Sequence, residues 1–296
     1  MIVLQYRTEA LVKRRRVLYH RGNLSHRGKD DLTMKRIGCL LAALGLVLCL
    51  NACGKTAQET PEEKTEITVF AAASMTETLQ EIKTRYEAEH QDVELVFTFD
   101  SSGALKTQIM EGAVCDLFIS AAPKQMNELE EAGLLAQDSR IDLLENKVAL
   151  CLAPEGGAAI ASFDDLAQAL AGGEILFAMG NADVPVGQYT QKIFAYYGID
   201  EAAVSGSITY GSNVKEVVTA IVEGTADCGV IYATDAAAAN LTPVDTATAE
   251  MCGQVIYPAA VLAAAPQGAA TRAFLDYLAA APAAEVFTAA GFTALG

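Results

Sequence analysis

The sequence has no tryptophan and only three histidines in 296 residues. Two of those histidines, His20 and His26, stand near the start, so His90 is the one imidazole available to the rest of the chain. A Ser-His-Asp or Cys-His nucleophile would have to be built on it, at the end of an expected helix and far in sequence from any strand end. No cluster of His, Cys and carboxylates has metal-ligand spacing. G-x-G-x-x-G and G-x-S-x-G are missing as well. The "GKT" at 54–56 is not a phosphate loop, because the Gly that pattern requires at position 49 is Cys49. Catalysis therefore has no support, and the chain is expected to be no enzyme and to carry no cofactor.

Cysteines are few and unclustered. Of seven, Cys115, Cys151, Cys228 and Cys252 fall in the region that reads as folded, with no C-x-x-C among them. Three of these sit in apolar runs and read as small buried hydrophobes. A disulfide stays open as an alternative, with no pairing assignable.

A hydrophobic run long enough to span a bilayer is also missing. The apolar stretch at 37–50 has 14 residues, too short to cross comfortably. It follows Met34, Lys35 and Arg36 and ends in "LNAC", the pattern of a secretory signal. The ending resembles the lipobox of bacterial lipoproteins, which implies that Cys53 is lipidated and anchors the protein outside the cytoplasm. Residues 1–33 then read as an upstream over-call, 34–52 as the signal peptide and 53–65 as a flexible polar tether. Residues 1–52 hold 10 of the 21 Lys and Arg and 3 of the 37 Asp and Glu, so residues 53–296 carry 11 basic against 34 acidic side chains, a net charge of −23. Such a surface repels nucleic acid and anionic membrane.

What is present is a regular alternation. "EITVFAAAS", "VELVFTFDSSG" and "CDLFISAAP" read as strands, separated by helical periods at 75–90 and in "ALKTQIMEG". Strand-helix alternation points to a parallel α/β sheet. "KVALCLAP" is a strand able to cross to a second unit. That unit holds the strands "EILFAMG", "SITYGS" and "CGVIYATDA" with helices between them. "QVIYPAAVLAAA" is a long strand able to lead back, and "TRAFLDYLAAAPAAEVFTAAGF" closes the chain as helix.

In open α/β sheets ligands sit beyond the carboxyl ends of strands. The residues there are Ser74, Ser101 and Ser102, 121–123, 181–187, 212–214 and Tyr232. They offer hydroxyls and helix-start amides, and no cation. The first N–H groups of a helix have no internal partner and sit at the positive end of its dipole, so such a set can hold an anion inside an acidic protein. The same residues have ordinary uses too: Ser74 and Ser102 fit helix N-caps, and Tyr232 fits a strand-end core tyrosine. The residues alone support an exported two-lobed binding protein, with an anion as one ligand class.

The blocks "ITVFAAASMTETL", "FTFDSSGALKTQI", "CDLFISAAPKQM", "ADVPVGQYTQKIF" and "GSNVKEVVTAIVEGTADCGVIYATDA" occur in the order and at about the spacing of the molybdate-binding proteins of ABC importers, a resemblance that covers roughly 66–296. It implies a periplasmic-binding-protein fold of the second type, with a cleft between lobes joined by two crossover strands. The first lobe would be 66–148 with 255–296, and the second 149–254. By the same resemblance Ser74 and Ser102 give hydroxyl and amide to a molybdate or tungstate ion, Val186 and Val214 give backbone N–H, and Tyr232 gives its phenol. The implied partners are an ABC permease and its ATPase, and the protein is expected to be a monomer. Three positions depart from some members: Asp100 where Ala occurs, Gly103 in place of a third serine, and Asn213 where an acid is common. Asp100 is expected to point away from a dianion or to accept a donor, and the Asn213 amide is expected to suit an anion better than an acid does. The alternatives are a binder of another oxyanion such as sulfate or a small organic acid, and an extracytoplasmic sensor domain.

Overall fold

The computed structural model describes residues 64–155 and 159–295. The expected over-call, signal peptide and Cys53 lie outside these residues. Strand β1 (Thr65–Ala72) pairs in parallel with β2 (Val93–Asp100) along its whole length, from Thr65 opposite Val93 to Ala72 opposite Asp100. A short β3 (Leu117–Ile119) lies parallel on the other side of β1. The connections are helices α1 (Thr76–Glu89) and α2 (Ser102–Met110), and α3 (Pro123–Glu131) follows β3. The helical spacing of Leu79, Ile82 and Tyr86 buries one face of α1.

The rest of this sheet is antiparallel. β4 (Ile141–Asn146), β10 (Val255–Val261) and β11 (Thr293–Ala294) complete the order β11-β4-β10-β3-β1-β2. The expectation of a parallel sheet holds for three strands only. Strands that return from elsewhere in the chain fill the other half, and strand-helix alternation carries no trace of their direction.

A second sheet holds β5 (Val148–Leu152), β6 (Phe177–Gly180), β7 (Ile208–Gly211), β8 (Cys228–Tyr232) and β9 (Pro243–Thr246), in the order β7-β6-β8-β5-β9. α4 (Phe163–Gly172), α5 (Pro185–Tyr197), α6 (Glu201–Val204), α7 (Val214–Val222) and α8 (Ala233–Ala238) connect its strands. The chain leaves the first sheet at Asn146 and enters the second at Val148, with only Lys147 between them. It returns through α9 (Ala249–Cys252) to Val255, which pairs with Asn146. The two passages thus lie side by side, as two crossover strands between two α/β lobes.

The C-terminal stretch expected as helix is helical, in two pieces, α10 (Gly268–Leu278) and α11 (Ala281–Ala289). Pro282 explains the break: it has no N–H to continue a helix and suits the first turn of a new one. All four described cysteines are buried and unpaired. Cys151 lies opposite Gly229 and Cys228 opposite Leu152, so the two thiols point to opposite faces of their sheet. Among the described residues no helix is long and apolar enough to cross a membrane.

Candidate functional site

The five residues singled out from the sequence line one space between the lobes. Ser74, Ser102, Val186, Val214 and Tyr232 all face it and all are buried. The space is small, with an empty volume of about 200 Å³. Among the described residues no Lys or Arg lines this space, and Asp100 is the one charged residue in its lining. No group of three or more described His, Cys, Asp or Glu residues could hold a metal ion.

Three helix N-termini converge here. Ser102 opens α2, Pro185 and Val186 open α5, and Val214 opens α7. In α5 the first helical bond runs from the Gln188 amide to the Val184 carbonyl, so the Val186 N–H has no partner within its helix. Small residues clear the approach, since Ala72, Ala73 and Ala121 form the wall beside Ser74 and Ser102.

The structure corrects the helix-cap readings. Ser101, not Ser102, caps α2, its Oγ accepting from the Ala104 amide at 3.2 Å. Ser102 Oγ instead accepts from the Ala121 amide at 2.9 Å. Ser74 lies in a 3-10 turn (Ala73–Met75) that precedes α1, and α1 has no side-chain cap. Its hydroxyl is 3.0 Å from the Tyr257 hydroxyl. Tyr232 is a buried strand-end tyrosine as well as a lining residue; its hydroxyl donates to the Ala121 carbonyl at 3.4 Å, a long bond from one lobe to the other. Burial pushes the phenols of Tyr232 and Tyr257 well above their ordinary range, so both keep their protons at neutral pH.

The departures also find places. Asp100 Oδ1 accepts from the Ser101 amide at 2.7 Å, which satisfies that carboxylate in the way expected beside an anion. Asn213 caps α7, its Oδ1 accepting from the Glu216 amide at 3.1 Å, and it is not among the residues that line the space.

Sequence reasoning missed the groups behind this wall. Asn146 Nδ2 donates to Tyr257 Oη at 3.2 Å and to Thr234 Oγ1 at 2.9 Å, and Asn146 Oδ1 accepts from the Lys147 amide at 2.7 Å. Tyr257 sits in a uniformly apolar strand, where no pattern marks it. Beside the site Lys215, next to Val214, lies 2.8 Å from Glu77 in the other lobe and 3.1 Å from the fully buried Asp235. Burial, outweighing the attraction of Lys215, pushes Asp235 up to about 7. Burial alone would lower the Lys215 ammonium, but Asp235 and Glu77 together raise it.

Two α/β lobes on two crossover strands, with helix N-termini around a closed cleft, define a periplasmic-binding-protein fold of the second type. The chain belongs to the bacterial extracellular solute-binding proteins, whose family pattern matches residues 67–293. This is a family of binders, not of enzymes. The chain is 32% identical over 272 residues to the molybdate-binding protein ModA of Haemophilus influenzae, covering 89% of this chain and 98% of that one. The solved periplasmic molybdate-binding protein of Azotobacter vinelandii superposes with a TM-score of 0.67 at 21% identity, over 77% of this chain and 98% of that one. The sulfate-binding protein SubI of Mycobacterium tuberculosis superposes with a TM-score of 0.66 at 18% identity, over 78% of this chain and 87% of that one. At those identities the two superpositions speak for the fold alone.

Proposed function

We propose that the protein captures molybdate, and tungstate with it, outside the cytoplasm and delivers it to the permease of an ABC importer. One observation carries this reading: Ser74, Ser102, Val186, Val214 and Tyr232 meet around one small space that holds neutral donors and no cation. A tetrahedral dianion fits such a set, because a hydrogen bond to a charged group contributes about 1.5–3 kcal/mol and several converge here. Molybdate and tungstate are nearly the same size, so one pocket serves both. Sulfate is smaller and leaves donors unsatisfied, at a cost of about 1–3 kcal/mol for each one. The Haemophilus influenzae relative, similar over nearly its whole length, binds molybdate by its name.

In this reading Ser74 and Ser102 act from the lobe of 66–148 and 255–296, and Val186, Val214 and Tyr232 from the lobe of 149–254. Lipidated Cys53 and the tether after it hold a monomer at the membrane. The test is a calorimetric titration of the purified protein with molybdate, tungstate, sulfate and phosphate. Tight binding of the first two is expected. Heat with sulfate or an organic acid alone would overturn the reading.

A further inference from the structure

We propose that Asn146 and Tyr257 are positioning residues that fix the direction of the Ser74 hydroxyl proton, so that Ser74 meets a bound oxyanion as a donor and never as an acceptor. The inference rests on the oxyanion reading above and deepens it.

The direction follows from one group that has no choice. The Lys147 amide can only donate, and it lies 2.7 Å from the Asn146 side chain. The atom facing it is therefore the amide oxygen, which assigns the other end of Asn146 as the NH₂ group. Both protons of that group are used, one on Thr234 Oγ1 at 2.9 Å and one on Tyr257 Oη at 3.2 Å. Tyr257 Oη accepts from Asn146 and has two hydroxyls beside it, Ser74 Oγ at 3.0 Å and that of Tyr232, whose own proton goes to the Ala121 carbonyl. The relay assigns the Tyr257 proton to Ser74 Oγ. Ser74 Oγ then already holds a proton donated from behind, and its own proton is left for the cleft. The chain of donors is buried throughout: Ser74, Asn146 and Tyr257 are each no more than about a twentieth exposed.

Ser102 follows the same logic by a shorter route. The Ala121 amide donates to Ser102 Oγ at 2.9 Å, which frees the Ser102 proton for the cleft. Two hydroxyls from one lobe are thus oriented before any ligand arrives, and an anion meets them at no cost of reorientation. Asn146 is the last residue of β4, where the chain crosses to the other lobe, and Thr234 belongs to that other lobe. The relay therefore begins at a crossover between the lobes.

The test uses Asn146→Asp, Tyr257→Phe and the double variant, each titrated with molybdate beside the wild type. Asn146→Asp keeps the shape and the Lys147 bond but turns the donor into an acceptor. Tyr257 then donates to the carboxylate, Ser74 donates to Tyr257, and a lone pair faces the ligand. A loss of about 100-fold in affinity is expected, the size of a charge-assisted hydrogen bond turned into a repulsion. Tyr257→Phe leaves the Ser74 proton free but unaligned, and about 10-fold is expected. The decisive result is the double variant. With the relay cut, the carboxylate no longer reverses Ser74, so affinity returns to the level of Tyr257→Phe alone. A double variant as weak as Asn146→Asp, or weaker, would mean that the new charge acts through space and would overturn the relay. So would a Tyr257→Phe protein that binds like the wild type; this arm stands even if Asn146→Asp does not fold. A folded wild type that takes none of the four oxyanions would bring down the oxyanion reading, and the relay with it. Binding by the wild type with unmoved variants would bring down the relay alone.

Discussion

A side-chain carbon placed on Gly103 would lie 2.1 Å from the carbonyl oxygen of Asp183. Gly103 is in the first turn of α2, and Asp183 is in the loop ahead of α5, so the contact joins the two lobes beside the cleft. Backbone meets backbone there, and no flexible side chain can yield. The missing third serine of the "SSG" stretch is therefore what allows this closure. Gly103→Ala is expected to hold the lobes apart and to weaken molybdate binding by about 10-fold or more, as overpacking costs about 1–3 kcal/mol. Small-angle scattering of the ligand-saturated variant should show a larger radius than the wild type. An unchanged radius and affinity would mean that the Asp183 loop gives way freely.

Asp235 makes stability depend on pH in an unusual sense. Its folded carboxyl is pushed up to about 7 by burial, above the ordinary aspartate value of 3.8. Between those values the folded protein holds a proton that the unfolded chain has released. Its contribution is thus full below about pH 4 and is lost as pH rises through about 7. Asp235→Asn should remove that loss. Calorimetric Tm values for variant and wild type should draw apart from pH 5 to pH 7.5, with the variant gaining. A constant difference would show that Lys215 holds the carboxylate ionised throughout. Lys215→Met should destabilise the protein most at pH 7.5, where it leaves a buried charge without its cation.

Ser102→Ala should act twice. It removes a donor from the cleft and leaves the buried Ala121 amide without its acceptor. Molybdate affinity is expected to fall by about 10-fold to 100-fold, and stability by about 1–3 kcal/mol in urea titration. Ser101→Ala loses a helix cap instead and should cost about 1 kcal/mol. Loss of affinity without loss of stability would show that Ala121 finds another partner.

The thiols should be inert in the folded protein. Burial pushes Cys115, Cys151 and Cys228 up to about 12, so almost no thiolate exists at pH 8. Mass spectrometry after exposure to a thiol reagent should find these three unlabelled, and labelled once urea unfolds the chain. Rapid labelling of the native protein would contradict the burial seen here.

The cleft was legible because strand ends and helix starts are marked by residue type. "AAAS", "DSSG", "VPVG" and "SNVK" each join a run of apolar residues to a helical period, and the fold brings all four joints to one point. Which of two adjacent serines caps the helix was not legible, since Ser101 and Ser102 differ only in backbone angle. Asn146 and Tyr257 were not legible either. Their partners are 111 and 183 residues away in sequence, and a lone Asn or Tyr in an apolar strand looks like any other. β4 was passed over because "IDLLEN" runs almost without a break into the strand that follows it. The chain crosses between lobes there, and a single residue is too short a signal to read.

A cleft without a cation has a consequence for the rate of capture. Most proteins that take up anions gather them with a basic rim, and added salt slows the encounter by screening it. Here residues 53–296 carry a net charge of −23, while the donors lie inside a closed cleft. At 0.1 M salt charges are screened beyond about 10 Å, which mutes the surface and leaves hydrogen bonds in the cleft almost untouched. Rising ionic strength should therefore speed the arrival of the anion and hardly alter its departure. The protein would hold its ligand most tightly in the saltier medium.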